Sequence, residues 1–163
     1  MAEKDYVCNY LTCGCVGVIC LDDLYKAIYK WFKLYKYDLK ELDHKENRQA
    51  GSIIIKWEAD KKVDDYVKYY MWVTLTIKNM QNVISKESKR RLTDCNLEFS
   101  VTGWLLKDYE DYWTKSPVAK FMRECYDSFI TGHKLDKMEK ELYHEIMKFL
   151  DEMKGFLNVA NAK

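Results

Sequence analysis

One alternating segment, residues 66–79 (YVKYYMWVTLTIKN), most constrains the fold of this chain. The apolar side chains on one side of this segment are those of Val67, Tyr69, Met71, Val73, Leu75 and Ile77. The side chains on the other side are those of Tyr66, Lys68, Tyr70, Trp72, Thr74 and Thr76. Because successive side chains of a strand point to opposite faces, the pattern predicts a long strand with an apolar face that another layer must cover.

Further segments predict partners for this strand. Residues 52–59 (SIIIKWEA) combine three isoleucines with a tryptophan, and residues 92–106 (LTDCNLEFSVTGWLL) alternate in hydrophobicity, so both are predicted strands. Residues 41–51 (ELDHKENRQAG) are predicted to form a polar connection, and residues 80–91 (MQNVISKESKRR) a loop or a frayed hairpin. We therefore predict an antiparallel sheet of three to four strands.

Two amphipathic segments flank these strands. Residues 22–36 (DDLYKAIYKWFKLYK) predict a helix that Asp22 or Asp23 caps, because a carboxylate accepts the free N–H groups of a first turn. Residues 116–132 (SPVAKFMRECYDSFITG) predict a second helix with Ser116 as its N-cap. The apolar stripe of this second helix is expected to be Val118, Phe121, Met122, Cys125 and Phe129.

Residues 135–157 predict a long C-terminal amphipathic helix, because their apolar side chains recur every three or four positions. The chain has no internal repeat and no linker rich in proline, glycine or serine. We therefore predict a single α+β domain over residues 1–163, in which an antiparallel sheet packs against helices.

Composition narrows the class of protein. Hydrophobic residues make up 48% of the 163 residues and charged residues 33%, which is typical of a globular chain. The net charge of +1 lacks the basic excess of a general polyanion binder. The longest apolar run is about half of what a bilayer requires, and no basic leader precedes it, so a cytoplasmic location is expected.

Four cysteines lie close together near the start of the chain. Cys8, Cys13, Cys15 and Cys20 have the spacing C-x4-C-x-C-x4-C. They are candidate metal ligands, although structural zinc sites prefer two separated pairs of closer spacing. Disulfides and palmitoylation are further alternatives. We favour small buried hydrophobes on a strand that adds to the sheet.

Two other sets of residues are candidate binding sites. The first is a partner surface of aromatic side chains, formed by Tyr66, Tyr70, Trp72 and Trp104. Such rings mark partner surfaces when helices leave that side of the sheet uncovered. The second is a set of basic side chains that can contact phosphates, formed by Lys86, Lys89, Arg90 and Arg91. No phosphate-binding loop or nucleophile elbow occurs, so no catalytic residue and no cofactor are predicted.

Residues 57–68 and 103–113 resemble segments of a group of known sequences. Their patterns, W-x-A-x-K-K-V-D-D-Y-V-K and G-W-L-L-K-D-Y-E-D-Y-W, resemble those of small uncharacterised proteins of archaeal genomes. The resemblance covers the middle and C-terminal parts of the chain, and it implies no activity.

The sequence favours a non-enzymatic protein–protein interaction or self-association domain, because aromatic side chains are abundant and a catalytic constellation is missing. Three alternatives stay open: a carrier of a small apolar ligand, an RNA- or ribosome-associated factor, and a metal site at the N-terminal cysteines. A protein partner or a second copy of the chain is the preferred partner, ahead of nucleic acid.

Overall fold

The computed structural model describes residues 3–84, 91–110, 116–129 and 132–161. Its elements, in chain order, are β1 (Glu3–Ile19), α1 (Leu21–Leu34), β2 (Asp38–Asn47), β3 (Ser52–Lys62), β4 (Val67–Ile84), β5 (Arg91–Lys107), α2 (Pro117–Phe129) and α3 (Gly132–Asn161). The predicted α+β class, antiparallel sheet and long C-terminal helix are confirmed. The sheet has five strands rather than three to four, because residues 41–47 of the polar segment expected to be a connection belong to β2, and only residues 48–51 form a turn.

The strands follow the order β1-β5-β4-β3-β2, and every neighbouring pair is antiparallel. The long strands β4 and β5 form the centre, where Val73 pairs with Val101 and Leu75 with Phe99. The strands β1 and β2 form the two edges. The cysteine-rich segment is therefore a strand that adds to the sheet, as favoured from the sequence.

The sheet has one covered face, here called the helix face, and an opposite open face. The predicted apolar side of β4 lies on the helix face, where Val67, Tyr69, Met71, Val73, Leu75 and Ile77 are all buried. The helices α1 and α3 pack against this face. At its centre the Phe149 ring of α3 contacts Trp31, Phe32 and Phe99 at centroid distances of 5.0, 5.2 and 5.8 Å.

Of the two predicted N-caps, the structure has the one for α2 and not the one for α1. The first helix, α1, begins at Leu21, and its N-cap, Cys20, makes no side-chain capping hydrogen bond. Asp22 and Asp23 therefore lie within the first turn, and neither is the cap. Their negative charges interact favourably with the helix dipole at this end of the helix. The prediction for α2 is confirmed, because Ser116 Oγ accepts a hydrogen bond of 3.1 Å from Ala119 N.

Three of the five residues of the apolar stripe expected on α2 are not core; Cys125 is half-buried, and the side chain of Phe129 lies outside the described part of the structure. Val118, Phe121 and Met122 are exposed by 72%, 64% and 53%, because α1 and α3 already occupy the helix face. No helix in the described part of the chain is long and apolar enough to span a membrane.

Candidate interaction surface

Four aromatic side chains, here called the ring cluster, meet on the open face of the sheet: Tyr6, Tyr70, Trp72 and Trp104. Strand pairing places Trp104 between Tyr6 of β1 and Tyr70 of β4. The Trp104 centroid lies 5.9 Å from that of Tyr6, 5.5 Å from Tyr70 and 4.8 Å from Trp72. Tyr6 and Trp72 are exposed by 54% and 43%, whereas Trp104 is only 2% exposed. The cluster therefore has a buried centre and a solvent-facing rim.

Three of the four residues predicted for the partner surface are brought together, namely Tyr70, Trp72 and Trp104. Tyr66 lies apart from them and packs against Tyr126 of α2, with the centroids 5.9 Å apart. Trp104 supports the surface from below, since its ring is buried. No local pattern in the sequence indicates Tyr6, which only the pairing of β1 with β5 places beside Trp104.

Charged side chains of both signs border the ring cluster. Lys4 Nζ lies 4.8 Å from the Trp104 centroid and 5.6 Å from that of Trp72, which is cation–π geometry. Trp72 Nε1 donates a hydrogen bond of 2.8 Å to Glu58. Burial, together with the nearby carboxylates of Asp60 and Glu58, raises the pKa of Tyr70. The Tyr70 hydroxyl therefore stays neutral, and charges of both signs, including Lys4, Glu58 and Asp60, lie around the rings.

Tyr10 of β1 carries an exposed ring on a strained backbone, and this backbone contacts the open face. It lies at a bulge, where the register shifts between the pairs formed by Cys8 and Leu11, and its φ is 51°. Its backbone N–H donates a hydrogen bond of 3.2 Å to Thr102, the residue paired with Trp72. The side chain of Tyr10 is 77% exposed. A left-handed backbone costs an L-residue about 1–2 kcal/mol, so the ring is held outward at the expense of stability.

We expect Tyr10→Gly to leave the free energy of unfolding unchanged or to raise it by up to about 1 kcal/mol, because glycine adopts positive φ without strain. Tyr6→Gly is the matched control, and it should lower stability because Tyr6 pairs with Trp104 and its ring packs on the Trp104 ring. Urea unfolding measures both variants. Equal losses would contradict this account, since they would mean that the Tyr10 ring stabilises the fold.

The cysteine segment lies along the pairing of β1 with β5. Cys13 is buried, and Cys8, Cys15 and Cys20 are half-buried. All six cysteines fall within the described ranges, and none forms a disulfide. Burial raises the pKa of the Cys8 and Cys13 thiols, which therefore stay protonated at neutral pH. Within the described residues, no three Cys, His, Asp or Glu side chains are grouped so that they can hold a metal ion.

The predicted phosphate contacts lie mostly outside the described residues, which do not include Lys86, Lys89 and Arg90. The fourth, Arg91, is exposed at the first position of β5.

A polar cluster joins α3 to the sheet. Tyr37 donates a hydrogen bond of 2.5 Å to Glu145, and Lys61 Nζ lies 2.7 Å from the other oxygen of this carboxylate. Tyr69 donates a hydrogen bond of 3.1 Å to Glu141. Burial and the adjacent Glu145 carboxylate raise the pKa of Tyr37, which therefore remains a hydrogen-bond donor. The cluster holds the segment after α1, the strands β3 and β4, and α3 together.

Comparison of the chain with protein-family models, with curated proteins and with solved structures finds no match. The ring cluster offers large apolar area with a hydrogen-bonding and charged rim. This combination suits recognition of another protein surface.

Proposed function

We propose that this chain is a protein–protein interaction domain that associates with a second copy of itself through the open face of its sheet. The observation that carries the proposal is the ring cluster, whose rim of Tyr6 and Trp72 is exposed, together with the strained and exposed Tyr10. Tyrosine and tryptophan are enriched among the residues that dominate binding energy, because each buries a large area at low conformational cost.

The strain at Tyr10 supports a role in binding rather than in folding. The Tyr10 side chain is 77% exposed and contributes little to the core. The backbone of Tyr10 nevertheless adopts a positive φ, which is unfavourable for any residue with a Cβ atom. Strained residues persist where their geometry serves a site. We infer that Tyr10 gains its packing from the bound copy.

The charges around the ring cluster favour a second copy as the partner. A two-fold interface brings the same patch of both subunits together, so the patch must complement itself. Lys4 and Glu58 lie at the rim with opposite signs. Two copies related by a two-fold axis can therefore set the cation of each beside the anion of the other.

Trp72→Ala tests the proposal. We expect at least a tenfold rise in the dissociation constant for self-association, measured by sedimentation velocity, because an anchoring tryptophan contributes about 2 kcal/mol or more. Tyr143→Ala is the control, since Tyr143 of α3 is exposed to the same degree, 44% against 43% for Trp72. Circular dichroism establishes that both variants fold. Equal dissociation constants for the two folded variants would contradict the proposal.

A second candidate, a carrier of a small apolar ligand, is favoured by buried indole groups without hydrogen-bond partners in the described part of the chain, of which one is Trp104 of the ring cluster and two belong to the hydrophobic core. Trp31 and Trp57 are buried, and neither Nε1 atom has a hydrogen-bond acceptor among the residues that the structure describes. A buried donor without a partner is costly, and a ligand with an acceptor atom would satisfy it. Native mass spectrometry of the freshly purified protein tests this function: a bound small molecule supports it, and the mass of the chain alone contradicts it.

A further inference from the structure

The two edges of the sheet differ sharply in charge. The charged residues of the edge strand β2 are Asp38, Lys40, Glu41, Asp43, Lys45 and Glu46. The other edge strand, β1, has no Asp, Glu, Lys or Arg in residues 6–19, and it contains no proline. Charges on an edge strand prevent it from pairing with another strand. The edge formed by β2 has this protection, and most of β1 does not.

The C-terminal half of β1 has the regular geometry that strand pairing requires. Two register shifts interrupt β1 before Leu11, and bulges of this kind hinder further pairing. Residues 11–19 then pair with β5 without interruption. Val16 in this segment is 69% exposed, although it is apolar. The segment is therefore a regular, uncharged edge with an exposed valine.

We propose that residues 11–19 of β1 pair in antiparallel fashion with the same residues of a second copy, so that two five-stranded sheets form one continuous sheet. This inference goes beyond the proposed function, because the edge of β1 is a different surface from the open face. A second copy fits better than an unrelated strand because two-fold antiparallel pairing sets identical segments side by side, and this segment carries no charge to repel its own copy.

The side chains of the segment complement one another under this symmetry. Full overlap of residues 11–19 centres the pairing on Cys15, which sets Val16 of each copy beside Gly14 of the other. Both residues lie on the open face, since they pair with Asn96 and Glu98, and Gly14 leaves room for the partner's valine. A shallow pocket of about 400 Å³, lined in part by Gly14, Asn96 and Glu98, opens at this position.

The paired edge and Tyr6 of the ring cluster occupy different parts of the same strand. Tyr6 and Tyr10 belong to the same strand and lie just before residues 11–19. Pairing of the two β1 strands would place both ring clusters on one face of the joined sheet but apart from each other, on either side of the two-fold axis, so the edge contact and the open-face contact are separate interfaces.

Val16→Lys tests this pairing by adding the type of charge that protects natural edges. We expect at least a tenfold rise in the dissociation constant for self-association, because the two lysines would lie close together near the two-fold axis. The variant should fold, since Val16 is 69% exposed. Val16→Thr keeps a β-branched, uncharged side chain and should remain within twofold of the wild type. Leu42→Lys adds the same charge to β2, where Leu42 is 55% exposed, and should also have no effect.

Hydrogen–deuterium exchange provides a second readout of the same pairing. We expect the outward amides of residues 11–19 to become protected as the wild-type concentration rises, and to stay unprotected in Val16→Lys. Wild-type affinity in Val16→Lys, or equal exchange of these amides in monomer and dimer, would overturn the inference.

The two proposals fail in different ways. If Trp72→Ala weakens association and Val16→Lys does not, the open face stands as the interface and the edge pairing is wrong. If Val16→Lys weakens association and Trp72→Ala does not, the edge pairing stands and the open face is not the interface. A wild-type protein that stays monomeric at every concentration overturns both.

Discussion

Phe149→Ala should lower the free energy of unfolding by about 3–5 kcal/mol, the usual cost of removing a fully buried phenylalanine ring. Phe149 is 0% exposed and contacts Trp31 and Phe32 of α1 as well as Phe99 of β5. Its ring therefore joins both covering helices to the centre of the sheet. Because these neighbours are large and constrained, we expect the cavity to collapse only in part.

The matched control for this substitution is Phe121→Ala on α2. Phe121 is 64% exposed, so the same change of side chain should alter stability by less than about 0.5 kcal/mol. Urea unfolding followed by tryptophan fluorescence measures both variants. Comparable losses, or a loss below about 1 kcal/mol for Phe149→Ala, would mean that α3 is not anchored to the sheet as described.

Glu145→Ala should cost about 2–4 kcal/mol, because it removes the common partner of two other groups. Tyr37 is 6% exposed and would lose the acceptor of its hydroxyl. Lys61, whose side chain is 23% exposed, would lose its ion-pair partner. Glu145→Gln should cost less than Glu145→Ala, because the amide oxygen still accepts from Tyr37 while the negative charge opposite Lys61 is lost.

Glu141→Ala is the comparison for this cluster, because it removes one partner instead of two: the buried Tyr69 loses the acceptor of its hydroxyl, but the Glu141 side chain is 53% exposed, so water can enter the vacated position. We expect a loss of about 1 kcal/mol. Thermal and urea unfolding of the three variants should rank the losses as Glu145→Ala, Glu145→Gln and Glu141→Ala. A loss for Glu145→Ala no larger than that for Glu141→Ala would contradict a structural role for the polar cluster.

Local patterns in the sequence predict most of the helix face. The alternation along β4 identifies every side chain that residues 67–83 of this strand bury, because strand geometry alone fixes which side chains share a face. The spacing along α3 likewise predicts a set of side chains that the structure buries: Leu135, Met138, Leu142, Ile146, Phe149 and Met153. Both patterns are strong because the described helices cover only one face of the sheet, so the apolar core is confined to that face.

The edge strand β2 and the exposed stripe of α2 could not be predicted from local patterns. Residues 38–47 lack an apolar face and form a strand through backbone pairing with β3, which a hydrophobic period does not record. The apolar spacing of Val118, Phe121 and Met122 predicts a helix face that packs against the sheet. This local spacing does not indicate that α1 and α3 already cover the helix face of the sheet.

The ring cluster was predictable only in part, because non-local strand pairing decides which of its rings meet. Tyr70 and Trp72 follow from the alternation of β4 alone. Tyr6 joins them only because β1 pairs with β5, and this pairing is non-local. Tyr10 depends on a bulge whose register no local pattern specifies. The positions of Tyr6 and Tyr10, the two rings farthest in sequence from β4, could therefore be seen only in the structure.

Sedimentation velocity of the wild-type chain tests the central claim, self-association through the open face, most directly. Measurements from about 1 to about 100 μM span the affinities expected of a modest interface. We predict a concentration-dependent shift from monomer to dimer that Trp72→Ala moves to higher concentration. A wild-type chain that remains monomeric throughout this range, or a dimer that Trp72→Ala leaves unchanged, would contradict the account.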